Sequence, residues 1–323
     1  MKFKSEKIRQ IAELTLKLES EAIGALRKRI GKDFVKSVEK IISSGGRVVV
    51  TGIGKSAVIA QKMVATFNST GTPSLFMHAA DAIHGDLGMI TPDDVVICLS
   101  KSGESPEIKV LVPLIKNGGN FLVSITGNMN SFLAKNSDLV LDTTVAKEAC
   151  PHNLAPTTST TAQLAMGDAL AVCLLECRGF SEKDFARFHP GGALGKKLYL
   201  RVDALFSKHE SPAVHENDLL GKVILEMTKK RLGATAVLNS KKELSGMITD
   251  GDLRRAMEKH KNFSSLKAAD VMNASPKKIS KGSLAVDALS LMREHKITQA
   301  IVVDKKKYLG IVHLHDLLRE GLI

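Results

Sequence analysis

Tryptophan is missing from this chain, and aromatic residues make up only 4% of its 323 positions. Lysine and arginine are scattered along it rather than clustered. A protein that stacks bases on aromatic platforms is therefore not expected, despite a formal net charge of +12. An enzyme for anionic metabolites accounts for that charge as well, and no nucleic-acid partner is expected. No apolar run approaches the roughly 20 residues that cross a bilayer, so no membrane association is expected either. Cysteine is sparse: Cys98, Cys150, Cys173 and Cys177 sit in apolar or turn settings without a C-x-x-C pair. That usage points to reduced thiols and a cytoplasmic setting. Cys173 and Cys177 share a helix face but have no partners at metal-ligand spacing. The opening MKFKSEKIRQIAELTLKLESEAI carries acids through an amphipathic pattern and does not read as a secretory leader.

What is present is organised around VVICLSKSGESPEI at 95–108. Its first five residues are apolar and mostly β-branched, as in a strand buried on both faces. Ser100, Ser102, Gly103 and Ser105 follow, and Pro106 opens an amphipathic helix with Ile108, Leu111, Val112 and Ile115 at helical spacing. A strand that delivers three hydroxyls and free N–H groups to a helix N-terminus makes a phosphate cradle. An ordinary serine-capped turn has the same pattern.

Strands are expected at 47–51, 74–77, 95–99, 121–126 and 139–141, alternating with helices. That order implies an α/β fold with a doubly wound, parallel, five-stranded sheet. Two helices precede it over 5–44, broken near Gly31, with Ile8, Ile11, Leu14, Leu18 and Ala22 in one stripe. The stripe suits a neighbouring subunit or the chain's own core equally well. The turn GIGKSA at 52–57 fails as a nucleotide P-loop, because Val49 stands where a glycine is needed. It resembles a dinucleotide fingerprint, but the following strand ends in His78 rather than an acid. Lys55 is left at the C-terminal end of a strand, where such sheets bind ligands. The loop from His78 to Gly88 holds His78, Asp81, His84 and Asp86, suited to a metal or to sugar hydroxyls. A hydroxyl run at 157–161 is expected to cap a long apolar helix over 162–177, and HPGGALG at 189–195 forms a turn presenting His189.

Beyond Val202 the chain repeats itself. GMITDGDL at 246–253 lies 64 residues before GIVHLHDL at 310–317, each copy preceded by an amphipathic helix and a strand. Two β-α-β-β-α units, neither with a complete core, should pack as a pair. They resemble tandem cystathionine β-synthase (CBS) modules, here at 203–262 and 268–323. In that family a Ser or Thr after the glycine strand meets a phosphate and an Asp meets a ribose. The resemblance thus implies a nucleotide or nucleotide-sugar site at Thr249 and Asp252. In the second copy Asp316 is kept, while His313 replaces the threonine.

Residues 1–200 resemble the sugar isomerase (SIS) domain, whose sheet is flavodoxin-like. The whole chain resembles the D-arabinose 5-phosphate isomerases, which follow that domain with two CBS modules. GIGKS at 52–56, FNSTGTPS at 67–74, HGDLGM at 84–89 and LSKSGESPEI at 99–108 carry the likeness. So do the long stretch from Ala146 to Ala171, HPGGALG at 189–195 and TDGDLRR at 249–255. The resemblance implies interconversion of D-ribulose 5-phosphate and D-arabinose 5-phosphate, the first step toward the 3-deoxy-D-manno-octulosonate of lipopolysaccharide. It also implies a cytoplasmic homotetramer with no required cofactor. Catalytic roles carry over to Lys55, Glu107, Glu148 and His189. Substrate contacts carry over to Gly71, Thr72, His78, His84, Ser100, Ser102, Ser105, Thr144, Val145, Ala146, Thr158 and Ser159. His78 is also matched to a metal contact that turnover does not need. Its loop departs from the family at Ala79-Ala80-Asp81, where relatives tend to have Pro-Gly-Glu.

Aldose–ketose isomerisation needs ring opening, then a base that moves a proton between C1 and C2 through a cis-enediol, with a cation beside the developing charge. Glu148 is expected as that base, His189 as the ring-opening group reaching a neighbouring subunit's site, Lys55 as the enediolate's cation, and Glu107 as a hydroxyl-orienting or acid/base group. From the residues alone, Glu107 is equally a helix-dipole acid and Glu148 a loop acid. Two other readings stand beside this one: a sugar-phosphate sensor, and an isomerase of a different sugar phosphate.

Overall fold

The computed structural model describes residues 5–322. Residues 1–4 of the expected opening helix and Ile323 at the end of the second repeat lie outside the described residues. The chain separates into two compact units, Met1–Phe185 and Ala186–Ile323.

In the first unit, α1 (Ser5–Leu26) and α2 (Lys32–Ser43) precede the alternating part. Then come β1 (Val48–Gly52), α3 (Lys55–Ser69), β2 (Ser74–His78), α4 (Ala79–Ala82) and β3 (Val95–Ser100). The unit continues with α5 (Pro106–Asn117), β4 (Phe121–Thr126), α6 (Phe132–Lys135), β5 (Leu139–Asp142) and α7 (Thr158–Cys177). The five strands are parallel in the order β2-β1-β3-β4-β5, the doubly wound sheet expected from the sequence. Because side chains alternate along a strand, each central strand supplies two cores. Val95, Ile97 and Leu99 pack with residues of α2, α3 and α7 on one face. Val96 and Cys98 pack with Ile108, Leu111 and Ile115 of α5 on the other. The strand order reverses between β1 and β3, and at such a point the strand ends leave a crevice for ligands.

The opposite rim is closed by Asp94, 1% exposed. Its carboxylate accepts from the Arg47 N–H at 2.7 Å and the Thr91 N–H at 2.8 Å, which sets the starts of β1 and β3 level. Burial alone would push that carboxyl up, but the Arg47 and Thr91 donors hold it below its ordinary value.

One boundary differs from expectation. The long helix starts at Thr158 rather than at Ala162. The hydroxyl run forms its first turn, because the N–H groups there find an acceptor outside the helix, the side chain of Glu148. In α1, Ile8, Ile11 and Leu14 are exposed rather than packed in the chain's own core.

The short helix α8 (Glu182–Phe188) carries the division between the units, and α9 (Ala193–Tyr199) and α10 (Asp203–Phe206) lead into the repeats. The first repeat is β6 (Ala213–His215), α11 (Leu220–Lys230), β7 (Ala234–Leu238), β8 (Leu244–Thr249) and α12 (Asp250–Lys259). After α13 (Ala268–Val271), the second is β9 (Lys278–Ser280), α14 (Ala285–His295), β10 (Gln299–Asp304), β11 (Lys307–His313) and α15 (Leu314–Arg319). Both are the β-α-β-β-α units expected. Their irregularities repeat as well. Arg231 and Lys296 end α11 and α14 in the left-handed region, at φ 56° and 52°. A register shift interrupts the antiparallel pair of each copy, at Val237/Leu238 and at Val302/Val303. The modules share a core in which Leu232, Ala234 and Met247 of one meet Ile301, Val303 and Ile311 of the other.

Candidate active site

At the switch point, Gly52 of β1 pairs with Leu99 of β3. A Cβ at Gly52 would sit 3.1 Å from the Leu99 carbonyl oxygen and 3.2 Å from the Ser56 backbone. Only glycine lets the two strands deliver their loops so close together. Lys55 and Ser56 in the first turn of α3, Ser102 and Ser105 ahead of α5, and Ser159 and Thr160 in the first turn of α7 line one cavity of 220 Å³. Three helix N-termini thus share it, and each favours an anion.

The serine loop is held by its own bonds. Ser100 Oγ accepts from the Gly103 N–H at 3.0 Å. Gly103 lies at φ +64°, with Ser131 where a side chain would project. Ser105 occupies the N-cap of α5 without using its hydroxyl as a cap, and its buried Oγ has no partner among the described residues. Ser102 Oγ accepts only a 3.3 Å contact from the Glu104 N–H. These two hydroxyls are available to a ligand. Lys55 is exposed and Glu107 half-buried in the first turn of α5, and neither has an ion pair or side-chain hydrogen bond among the described residues.

Glu148 is 2% exposed and densely bonded. Its Oε2 accepts from the Thr157 N–H at 2.8 Å, the Ser159 N–H at 3.1 Å and Thr157 Oγ1 at 3.3 Å. Its Oε1 accepts from Ser159 Oγ at 2.5 Å and pairs with Lys101 Nζ at 2.6 Å. Burial raises the proton affinity of this carboxyl, but the Lys101 ammonium and the Ser159 and Thr157 donors outweigh it and hold its pKa at about 2. The resting group is an ionised anchor for the start of α7. Sequence reasoning passed over Lys101 itself; a cation between two serines at a strand's C-terminal end was the signal available.

The other expected residues are distributed around the unit. Thr144, Val145, Ala146 and Thr158 line a second cavity of 430 Å³, together with Glu21 and Arg29. Thr158 Oγ1 is buried there without a partner among the described residues. Gly71 and Thr72 precede β2 and so lie at the rim opposite the serine loop; a Cβ on Gly71, at φ +87°, would strike the Phe180 ring 2.5 Å away. Within one chain they do not reach the cavity. His78 ends β2 on the cavity side of the sheet, with its Nδ1 3.6 Å from Asp81. His84 is exposed in the following turn. Among the described residues no group of three or more His, Cys, Asp or Glu side chains could hold a metal ion, and the acid paired with His78 is Asp81. His189 belongs to the second unit, where its carbonyl accepts from the Gly192 N–H at 3.0 Å.

In the repeats, Thr249 and Asp252 face a 90 Å³ cleft also lined by Asn273, Lys277 and Gln299. They also cap α12. Asp252 Oδ2 accepts from the Thr249 N–H at 2.9 Å and from its hydroxyl at 2.6 Å. His313 and Asp316 repeat this arrangement at α15, and there Asp316 Oδ1 is taken by His209 Nε2 at 2.8 Å.

The chain resembles known proteins over nearly its whole length. Residues 40–173 match the SIS domain model, and residues 203–259 and 268–322 match the CBS domain model. The chain is 48% identical over 315 residues to arabinose 5-phosphate isomerase KdsD of Escherichia coli K12, covering 97% of this chain and 96% of that protein. It is 48% identical over 314 residues to arabinose 5-phosphate isomerase KdsD of Pseudomonas aeruginosa, with the same coverage. A protein of E. coli CFT073, solved in complex with a sugar phosphate, superposes with a TM-score of 0.55 at 40% identity. It covers 58% of this chain and 100% of its own. No helix among the described residues is long and apolar enough to cross a membrane, and all four cysteines are free.

The Glu148 anchor has a measurable signature. Its folded pKa lies below the unfolded value of 4.5, so its stabilisation is complete above pH 4.5 and is lost as pH falls toward about 2. Glu148→Gln should cost about 1.5–3 kcal/mol at pH 7, the scale of hydrogen bonds to a charged group. Urea denaturation of both forms should show that gap shrinking below pH 4. A gap that is constant with pH would mean the carboxylate does not anchor α7.

Proposed function

Since the chain, an SIS domain followed by two CBS domains, belongs to the arabinose 5-phosphate isomerase family, we infer that it interconverts D-ribulose 5-phosphate and D-arabinose 5-phosphate. The observation that carries this reading is the cavity where three helix N-termini meet around unengaged serine hydroxyls. The phosphate of the pentose sits there, on Ser100, Ser102 and Ser105 and the N–H groups of their loop. The sugar extends toward Lys55, Glu107 and the α7 start. Substrate and product are isomers: one proton moves between C1 and C2 and another between their two oxygens, so no redox cofactor is needed. Glu148 takes the proton, Lys55 steadies the enediolate and Glu107 orients hydroxyls. A lysine in the cavity lining and a glutamate in the first turn of α5, both without an ion pair among the described residues, suit a reaction with moving charge better than simple sensing.

His189, in the second unit, opens the sugar ring in the cavity of a neighbouring copy, and Gly71 and Thr72 also meet substrate across such an interface. The assembly is a homotetramer; the exposed Ile8, Ile11 and Leu14 of α1 support a covered face there. The product feeds 3-deoxy-D-manno-octulosonate synthesis for lipopolysaccharide in the cytoplasm, a compartment that four free thiols suit. The cleft at Thr249 and Asp252 takes a nucleotide or nucleotide sugar that adjusts activity. At the second copy Asp316 is already committed to His209 and the α15 cap.

Incubation with D-ribulose 5-phosphate should yield the aldose, and Ser102→Ala should raise KM severalfold more than it lowers kcat, because it removes binding shared by ground and transition states. Failure to convert either pentose phosphate into the other would overturn the assignment.

Light scattering should give four times the mass of one chain, and Ile11→Asp should reduce it. A wild-type mass of one chain would sink the tetramer.

Calorimetric titration with adenine and cytidine nucleotides should detect one site per chain. Asp252→Asn, which keeps an acceptor for the α12 cap, should weaken it at least about tenfold, the scale of one hydrogen bond from a ligand to a charged group. Silence across the nucleotide panel would leave the repeats without a nucleotide role.

A further inference from the structure

The Lys101–Glu148 ion pair spans the wall of the phosphate cavity, and its two ends have different freedom. Lys101 lines the cavity beside Ser102 and Ser105. Its carbonyl accepts from the Gly127 N–H at 3.0 Å and from Thr126 Oγ1 at 3.5 Å, so the backbone is fixed. The lysine side chain is 43% exposed, while that of Glu148 is fully buried. Glu148 keeps the Thr157 and Ser159 donors whether or not Lys101 is present. The ammonium is therefore the mobile partner, and the carboxylate loses one bond of several when it leaves.

A phosphate monoester at the serine loop carries about −1.5 to −2 at pH 7 and offers three acceptor oxygens. It outcompetes a single carboxylate, already supplied with donors, for a lysine that reaches both. We propose that Lys101 is a substrate-operated positioning residue: it clamps Glu148 in the free protein and moves to the phosphate when the sugar phosphate binds, which frees Glu148 Oε1 to accept a proton. Phosphate binding and unmasking of the base are then one event. A base left unmasked without substrate would be open to solvent protons. The inference rests on the sugar-phosphate reading above and adds to it a residue and an order of steps.

The test is calorimetric titration of inorganic phosphate into the full chain and three variants, which needs no turnover. Lys101→Met should weaken phosphate binding about tenfold or more, the weight of one charge-assisted hydrogen bond. Lys101→Arg should restore most of it. Glu148→Gln should tighten it severalfold, because the lysine is no longer held back. Kinetics on D-arabinose 5-phosphate should show a KM for Lys101→Met raised about tenfold, with Lys101→Arg again restoring it. Phosphate affinity and KM unmoved in Lys101→Met, or phosphate affinity unmoved in Glu148→Gln, would overturn the clamp. A chain that binds phosphate with this order of affinities yet converts neither pentose phosphate would keep the clamp and reject the isomerase reading.

Discussion

A carboxylate taken out of water must be given donors, or it will fold badly or pick up a proton. Glu148 meets this constraint by borrowing the one set of N–H groups that a helix cannot satisfy internally, those of its own first turn. The exchange works in both directions. The helix gains a cap from a residue ten positions before it, and the carboxylate gains neutralising partners on both oxygens. The position of α7 over the sheet, the third wall of the cavity and the orientation of Ser159 all depend on this arrangement. It also places an ionised carboxylate within reach of Lys101 on the serine loop.

Much of this was legible in the sequence, for physical reasons that differ by element. The five strands were readable because each is a short, largely apolar run bounded by turn residues, and the parallel order followed from the alternation with helices. The repeat was readable because a duplicated pattern needs no propensity argument. The start of α7 was not. An unbroken run of Ser and Thr residues looks like a cap, and only the contact with Glu148, remote in the pattern, turns it into helix. Lys101 was passed over for a related reason: a lysine in a turn is ordinarily solvated, and only its 2.6 Å approach to a buried carboxylate distinguishes it. Gly71 and Thr72 were assigned by family likeness. The strand expected at 74–77 already sets them at its start, the rim away from the serine loop, and a single chain carries no signal that brings them to the cavity.

The two CBS modules show how one scaffold is kept while its contents diverge. Both copies cap the helix after the last strand with the same reciprocal bonds, Thr249 with Asp252 and His313 with Asp316. The cap is a folding requirement, so the acid is retained in both. The threonine hydroxyl is not required by folding once a histidine ring can accept the same kind of N–H. At His313 burial lowers the proton affinity of the ring, the neighbouring His315 and His209 add to that lowering, and Asp316 opposes it. An acid that satisfies a capping role and a binding role is retained for either reason, so its presence in the second copy says little about ligand.

The meeting of three helix N-termini at one rim also sets a timetable for a chain made from one end. The cavity draws on Lys55, then on Ser102 and Ser105, and last on Ser159 and Thr160, about halfway along the chain. At synthesis rates of about 5–20 residues per second, the early loops emerge seconds before the wall that completes them. During that interval the serine loop stands on a sheet whose covering helix has not arrived. The cavity is thus incomplete until α7 has left the ribosome and Glu148 has captured its first turn, and the same capture closes that face of the sheet.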